Sequence, residues 1–138
     1  MEKAHGTDQE RDEKRMVLTE YFFDSYALIE LGKSNPAYLK YADCFISITQ
    51  FNLIKVMYSA FQEWGEDKAK ETYSKFKDCV VEVNQEVILE ALRLKQKYKR
   101  RNLSYADCIG YALAKSKSIP FLTGDKEFEN LENVEFVK

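Results

Sequence analysis

Apolar positions in this chain fall into blocks whose spacing switches between the period of a strand and that of a helix, from residue 16 onward. Val17–Phe23 is a β-rich run that stops at Asp24, and Ser25–Gly32 has helical spacing closed by a glycine. Asn35-Pro36 punctuates the chain, Ala37–Tyr41 reads as a short helix and Asp43–Ile46 as a short apolar strand. Thr49–Trp64 is a long, strongly apolar helix that Gly65 stops, and Glu66–Lys77 is amphipathic, with Ala69, Tyr73 and Phe76 on one face. Cys79–Val83 reads as a third strand, and Asn84 caps a helix reaching about Arg100. Ser104–Lys117 is a further helix, Ile119–Leu122 a fourth strand that runs into a Thr-Gly-Asp turn, and Val134–Val137 a last short strand. Strands alternating with helices predict an α/β protein of three layers (α/β/α), its central, mainly parallel sheet covered on both faces. Residues 1–15 are almost wholly polar and are expected to form a disordered leader, leaving 16–138 as the one domain, with Met16 an alternative start.

Composition narrows the chemistry. The chain has 138 residues, 45% of them apolar, with nine Phe and nine Tyr, enough to build a core without covalent or metal staples. Its net charge of −2 supplies no global field toward nucleic acid, so any contact with RNA must be local. Cys44, Cys79 and Cys108 are odd in number and far apart, which speaks for free thiols in a reducing, cytoplasmic compartment and against a Cys-held zinc. The only histidine is His5, in the polar leader, so histidine catalysis is not expected. No apolar run is long enough to cross a membrane.

The candidate chemistry lies in three aspartates. Asp24 and Asp125 each follow a predicted strand, and Asp107 lies in the first turn of the helix opened by Ser104. Open parallel sheets bind ligands beyond the carboxyl ends of their strands, and three carboxylates gathered there repel unless a cation neutralises them. Hard oxygen donors without histidine or thiolate select Mg²⁺ or Mn²⁺. Each aspartate also has a plain structural role open to it: Asp24 as a helix cap, Asp107 in a capping box with Ser104, and Asp125 as a turn residue. Ser25 and Thr123, beside two of the aspartates, are candidates for orienting carboxylates or waters.

These segments carry a family resemblance. Tyr21-Phe-Phe-Asp24-Ser25-Tyr-Ala-Leu-Ile resembles the opening strand and first acid of a PIN domain, and Leu103-Ser-Tyr-Ala-Asp107-Cys-Ile-Gly-Tyr-Ala its third acidic motif. Phe121-Leu-Thr-Gly-Asp125-Lys-Glu-Phe resembles its last acidic motif, and Val134-Glu-Phe-Val its closing strand. The similarity runs over about residues 16–138 and is greatest to the VapC-type toxins. It implies a metal-dependent endoribonuclease holding Mg²⁺ or Mn²⁺ on Asp24, Asp107 and Asp125, with an RNA substrate, an antitoxin partner and a homodimeric state.

One position departs from the pattern. The family carries a second acid, a Glu, early in the long helix after the second strand, and Lys55 is read as occupying that place. Asn52, Lys55 and Ser59 form the polar stripe of an otherwise apolar helix, which predicts that Lys55 faces the aspartates and weakens metal binding. Glu127, two residues after Asp125, is the candidate replacement as an extra ligand or water-positioning group. The alternative function is a PIN domain that binds RNA or an antitoxin without cutting. A phosphate-handling α/β protein of receiver or phosphatase type is disfavoured by the absence of an Asp-x-Asp nucleophile motif. Lys97, Tyr98, Lys99, Arg100 and Arg101 crowd one helix end, suited either to an RNA backbone or simply to the helix macrodipole.

Overall fold

Caps fix most of the boundaries. In the computed structural model, which describes residues 19–138, the order is β1 (Glu20–Phe23), α1 (Ser25–Gly32), β2 (Phe45–Ser47), α2 (Gln50–Trp64), α3 (Glu66–Phe76), α4 (Gln85–Lys97), α5 (Tyr105–Ser116), β3 (Phe121–Thr123) and β4 (Val134–Phe136). The expected leader and Met16 lie outside the described residues. Thr49, Asn84 and Ser104 open α2, α4 and α5, each accepting a hydrogen bond from the third residue of its helix. Gly65, at φ 97°, ends α2 in a conformation that a side chain disfavours.

The sheet has four strands in the order β2-β1-β3-β4, and every pairing is parallel. Strand β1 alternates its side chains across it. Tyr21 and Phe23 join Leu28, Leu53, Val56 and Phe76 on the side covered by α1, α2 and α3, whereas Phe22 joins Phe121, Ala91, Leu94 and Tyr111 on the side covered by α4 and α5. The result is the three-layer arrangement that the alternation predicts, with the carboxyl ends of the two central strands, β1 and β3, side by side.

Four expected elements change. Cys79–Val83 is not a strand: Ile48 makes one isolated parallel bridge with Val80, through hydrogen bonds from Ile48 N to Cys79 O and from Val81 N to Ile48 O. The partner gives out at once, because Thr49 turns the chain into α2 immediately after Ile48. The second strand begins at Phe45 rather than Asp43, and the short helix over 37–41 reduces to a 3₁₀ turn at Leu39–Tyr41. Helix α4 ends at Lys97, so the basic run 98–101 lies on the turn that follows it.

Candidate functional site

Asp24 is the first residue beyond β1, and parallel pairing of Phe22 with Phe121 and of Phe23 with Leu122 brings the end of β3 beside it. It is buried and makes no capping hydrogen bond to α1, so its expected structural role is not realised. Instead Thr123 Oγ1 donates to Asp24 Oδ2 at 2.8 Å and accepts from Asp125 N at 3.0 Å, one hydroxyl joining the two acid-bearing segments. Burial pushes the Asp24 carboxyl up to about 6. The Thr123 hydrogen bond opposes the shift and the charge of Asp107 adds to it; the Ser25 amide then lowers it and the charge of Asp125 raises it. Both other aspartates therefore act electrostatically on Asp24.

Asp107 and Asp125 each divide their work. Asp107 Oδ2 accepts from Ser104 N at 2.9 Å while Ser104 Oγ accepts from Asp107 N at 3.1 Å, a complete capping box at the start of α5. Asp125 Oδ1 accepts from Glu127 N at 3.0 Å and so forms the turn after β3. Both side chains are half-buried. Gly124 permits this turn: a Cβ there would meet Tyr26 Cε1, the Val137 carbonyl and, at 2.6 Å, the Tyr38 hydroxyl.

A model of the PIN domain family matches residues 21–134. The chain belongs to that family. Among solved structures its PIN fold is similar to a toxin–antitoxin complex from Klebsiella pneumoniae, at 20% identity and a TM-score of 0.70, covering 83% of this chain and 95% of that one. It is also similar to VapC20 of Mycobacterium tuberculosis, described as a Sarcin-Ricin loop cleaving toxin, at 17% identity and a TM-score of 0.69, covering 86% and 99% of the two chains. A third is VapBC2 from Rickettsia felis bound to a DNA fragment from its promoter, at 13% identity and a TM-score of 0.65, covering 87% and 100%. No curated protein sequence matches the chain.

The structure corrects the reading of this PIN domain's long helix. Lys55 is exposed, on a helix that also exposes Phe51, Ile54, Tyr58 and Phe61, so apolar neighbours do not make it a buried residue. Asn52 is the buried member of the polar stripe. Its Nδ2 donates to Ser25 Oγ at 3.0 Å, next to Asp24, and its Oδ1 accepts from Thr49 N at 2.9 Å and Thr49 Oγ1 at 2.7 Å. Lys55 lies one turn further along, ~4.5 Å by helical rise. The α2 side chain fastened beside Asp24 is thus a neutral amide. The available signal was the Thr49-x-x-Asn52 spacing, because a capping box turns its fourth residue back toward the helix start.

The remaining expected site residues divide. Ser25 and Thr123 are buried and hydrogen-bonded at the acidic end of the sheet. Glu127 places its carboxylate on Asn102 N at 3.0 Å. Lys97, Lys99 and Arg100 are exposed. Tyr98 is half-buried against the core, flanked by Lys97 at 5.2 Å and Arg101 at 5.5 Å, and Arg101 donates to the Glu127 carbonyl at 2.7 Å. Tyr98 and Arg101 are therefore committed within the fold.

The donors suit a hard divalent cation. Asp24 is a buried carboxylate with one side-chain donor and two like charges acting on it, a situation that a cation relieves. Among the described residues no three acids, histidines or cysteines stand close enough together to form a complete ligand shell. Mg²⁺ is compatible with that spacing, because it retains several waters and uses only one or two direct carboxylates. Among the described residues no helix is long and apolar enough to cross a membrane.

Proposed function

We propose that this PIN domain is a divalent-metal-dependent endoribonuclease of the VapC-toxin type, with Asp24, Asp107 and Asp125 as ion-holding residues. The observation that carries the reading is Asp24: buried, at the carboxyl end of a central strand, raised toward neutrality by burial and by both other aspartates, and tied by Thr123 to the Asp125 turn. A bound Mg²⁺ or Mn²⁺ lowers the pKa of an attacking water and offsets charge developing on the phosphate. Thr123 orients Asp24, and Ser104 holds one oxygen of Asp107, leaving its second oxygen available to the ion. Lys97, Lys99 and Arg100 supply exposed positive charge for an RNA backbone. The toxin–antitoxin complexes among its structural neighbours support an antitoxin partner; the family resemblance implies a homodimer, and the free cysteines suit a cytoplasmic setting. A groove of about 1370 Å³ between α1, α2 and α3, lined by apolar Leu28, Val56 and Phe76 and by charged Lys33, Glu63 and Lys68, offers a mixed apolar and charged seat for such a partner.

The amide at Asn52 favours a second reading, a PIN domain that binds RNA or an antitoxin without cutting. The test is cleavage of single-stranded RNA in Mn²⁺ by the parent chain, Asn52→Asp, Asn52→Glu and Lys55→Glu. A carboxylate about 4 Å from a cation is worth on the order of 4 kcal/mol at an effective dielectric of ~20. Even with desolvation removing half, Asn52→Asp is expected to raise ion affinity and cleavage by about tenfold or more. Asp107→Asn in that background should abolish cleavage. A gain from Lys55→Glu instead would return the departure to Lys55. No cleavage by any variant, with folding intact and RNA retained in a gel-shift assay, would overturn the cutting reading in favour of the binding one.

A further inference from the structure

Asp107 lies in the first turn of α5 and Asp125 follows β3, and besides that chain connection a run of hydrogen bonds through Glu127 ties the loop before α5 to the turn after β3. Its backbone amide donates to Asp125 Oδ1 at 3.0 Å, its carbonyl accepts from Arg101 Nη1 at 2.7 Å, and its carboxylate Oε1 accepts from Asn102 N at 3.0 Å. Two residues beyond Asn102, Ser104 N donates to Asp107 Oδ2 at 2.9 Å. Lys95 fastens the other side of the same loop, its Nζ donating to Leu103 O at 2.8 Å. The stretch 101–104 has no helix or strand of its own, and these ties, with the buried Leu103, anchor it in front of the Ser104 cap that opens α5.

We propose that Glu127 is a positioning residue that sets the separation of Asp107 and Asp125, with Arg101 as its strut, by clamping the loop before α5 onto the turn after β3. The proposal rests on the reading of Asp107 and Asp125 as ion-holding residues. It assigns the Glu127 carboxylate to a backbone amide rather than to the ion, and removes Arg101 from the RNA-contacting set.

The two roles respond differently to Glu127→Gln. A glutamine keeps a side-chain oxygen that can accept from Asn102 N, whereas Glu127→Ala keeps none. The experiment compares the full chain with Glu127→Gln, Glu127→Ala and Arg101→Ala. It measures Asn102 amide exchange by NMR and Mn²⁺ affinity by titration. Glu127→Gln should retain protection at Asn102 and bind Mn²⁺ within about threefold of the parent. Glu127→Ala should lose protection and weaken Mn²⁺ by about tenfold, the scale of one charge-assisted hydrogen bond, with Arg101→Ala changing both in the same direction. Glu127→Gln weakening Mn²⁺ as much as Glu127→Ala would overturn the proposal in favour of direct ligation, and unchanged behaviour of Glu127→Ala would overturn it outright. A parent chain that binds no Mn²⁺ would overturn the ion-site reading. The exchange data would still decide on the clamp: loss in Glu127→Ala with retention in Glu127→Gln upholds it, and equal behaviour overturns it.

Discussion

Asp24 has a charge that the fold resists. Its carboxyl titrates at about 6 instead of the ordinary 3.8. The folded state therefore favours the protonated form, and the residue costs stability progressively as pH climbs from about 4 to about 6. A shift of that size corresponds to at most about 3 kcal/mol above pH 6. Metal-free Asp24→Asn is expected to melt higher than the parent at pH 7 and equally near pH 4, with the gap opening between those values in calorimetric scans. Glu20 and Glu132, held below the ordinary carboxylate range chiefly by hydrogen bonds from Ser47 and Lys115, act in the opposite sense and cancel in the comparison. A parallel pH dependence in the two proteins would disprove the assignment. Gly124 makes a second prediction at this scale. Because the Val137 carbonyl is backbone and cannot swing aside, Gly124→Ala should cost about 1–3 kcal/mol and displace Asp125. Gly32→Ala, where nothing lies within 4 Å of the added methyl, is the matched control, and urea midpoints of the two variants give the comparison.

Element boundaries were legible where a cap or a breaker stood in the sequence. Ser25–Gly32 was read with its observed limits, α2 began after Thr49 and stopped at Gly65, and Asn84 and Ser104 opened their helices as expected. Cys79–Val83 failed because strand composition does not reveal how long the partner remains extended, and the partner here turns into α2 after Ile48. At the acidic site, the positions of Asp24 and Asp125 after strands were readable, but the inward-facing residue of α2 was not. Helical periodicity shows which residues share a face, not which face is covered. The assumption that apolar means buried misplaced Lys55, because α2 exposes Phe51, Ile54, Tyr58 and Phe61 at 48–60%. Exposed apolar stripes of that kind mark interaction surfaces, and this one is the face assigned here to the proposed homodimer. Ile54→Glu combined with Phe61→Glu should leave the melting temperature nearly unchanged, because exposed substitutions usually fall within about 0.5 kcal/mol. The same pair should shift sedimentation from dimer to monomer. A monomeric parent, or a variant that still dimerises, would exclude the stripe as the interface.

The whole molecule is closed by its last strand. Tyr38 donates to the Val137 carbonyl, Tyr111 to the Glu132 carbonyl, and Tyr41 to Glu135 Oε2 at 2.6 Å, so α5 and the turn before β2 both hold the β4 region. Deleting residues 134–138 removes one of the two partners of β3 and leaves the Tyr38 and Tyr41 hydroxyls without those acceptors. Urea unfolding of the truncated chain is therefore expected to lose its cooperative transition or shift to much lower urea, and an unchanged midpoint would show that β4 is dispensable. The bond from Thr123 to Asp24 spans 99 residues, and the sheet places the first strand beside the third. A ribosome making this chain releases Asp24 well before Asp125. A product that stops before Asp125 lacks one wall of the acidic site. Under the proposed function, the acidic site therefore forms only after the chain has been made past Asp125.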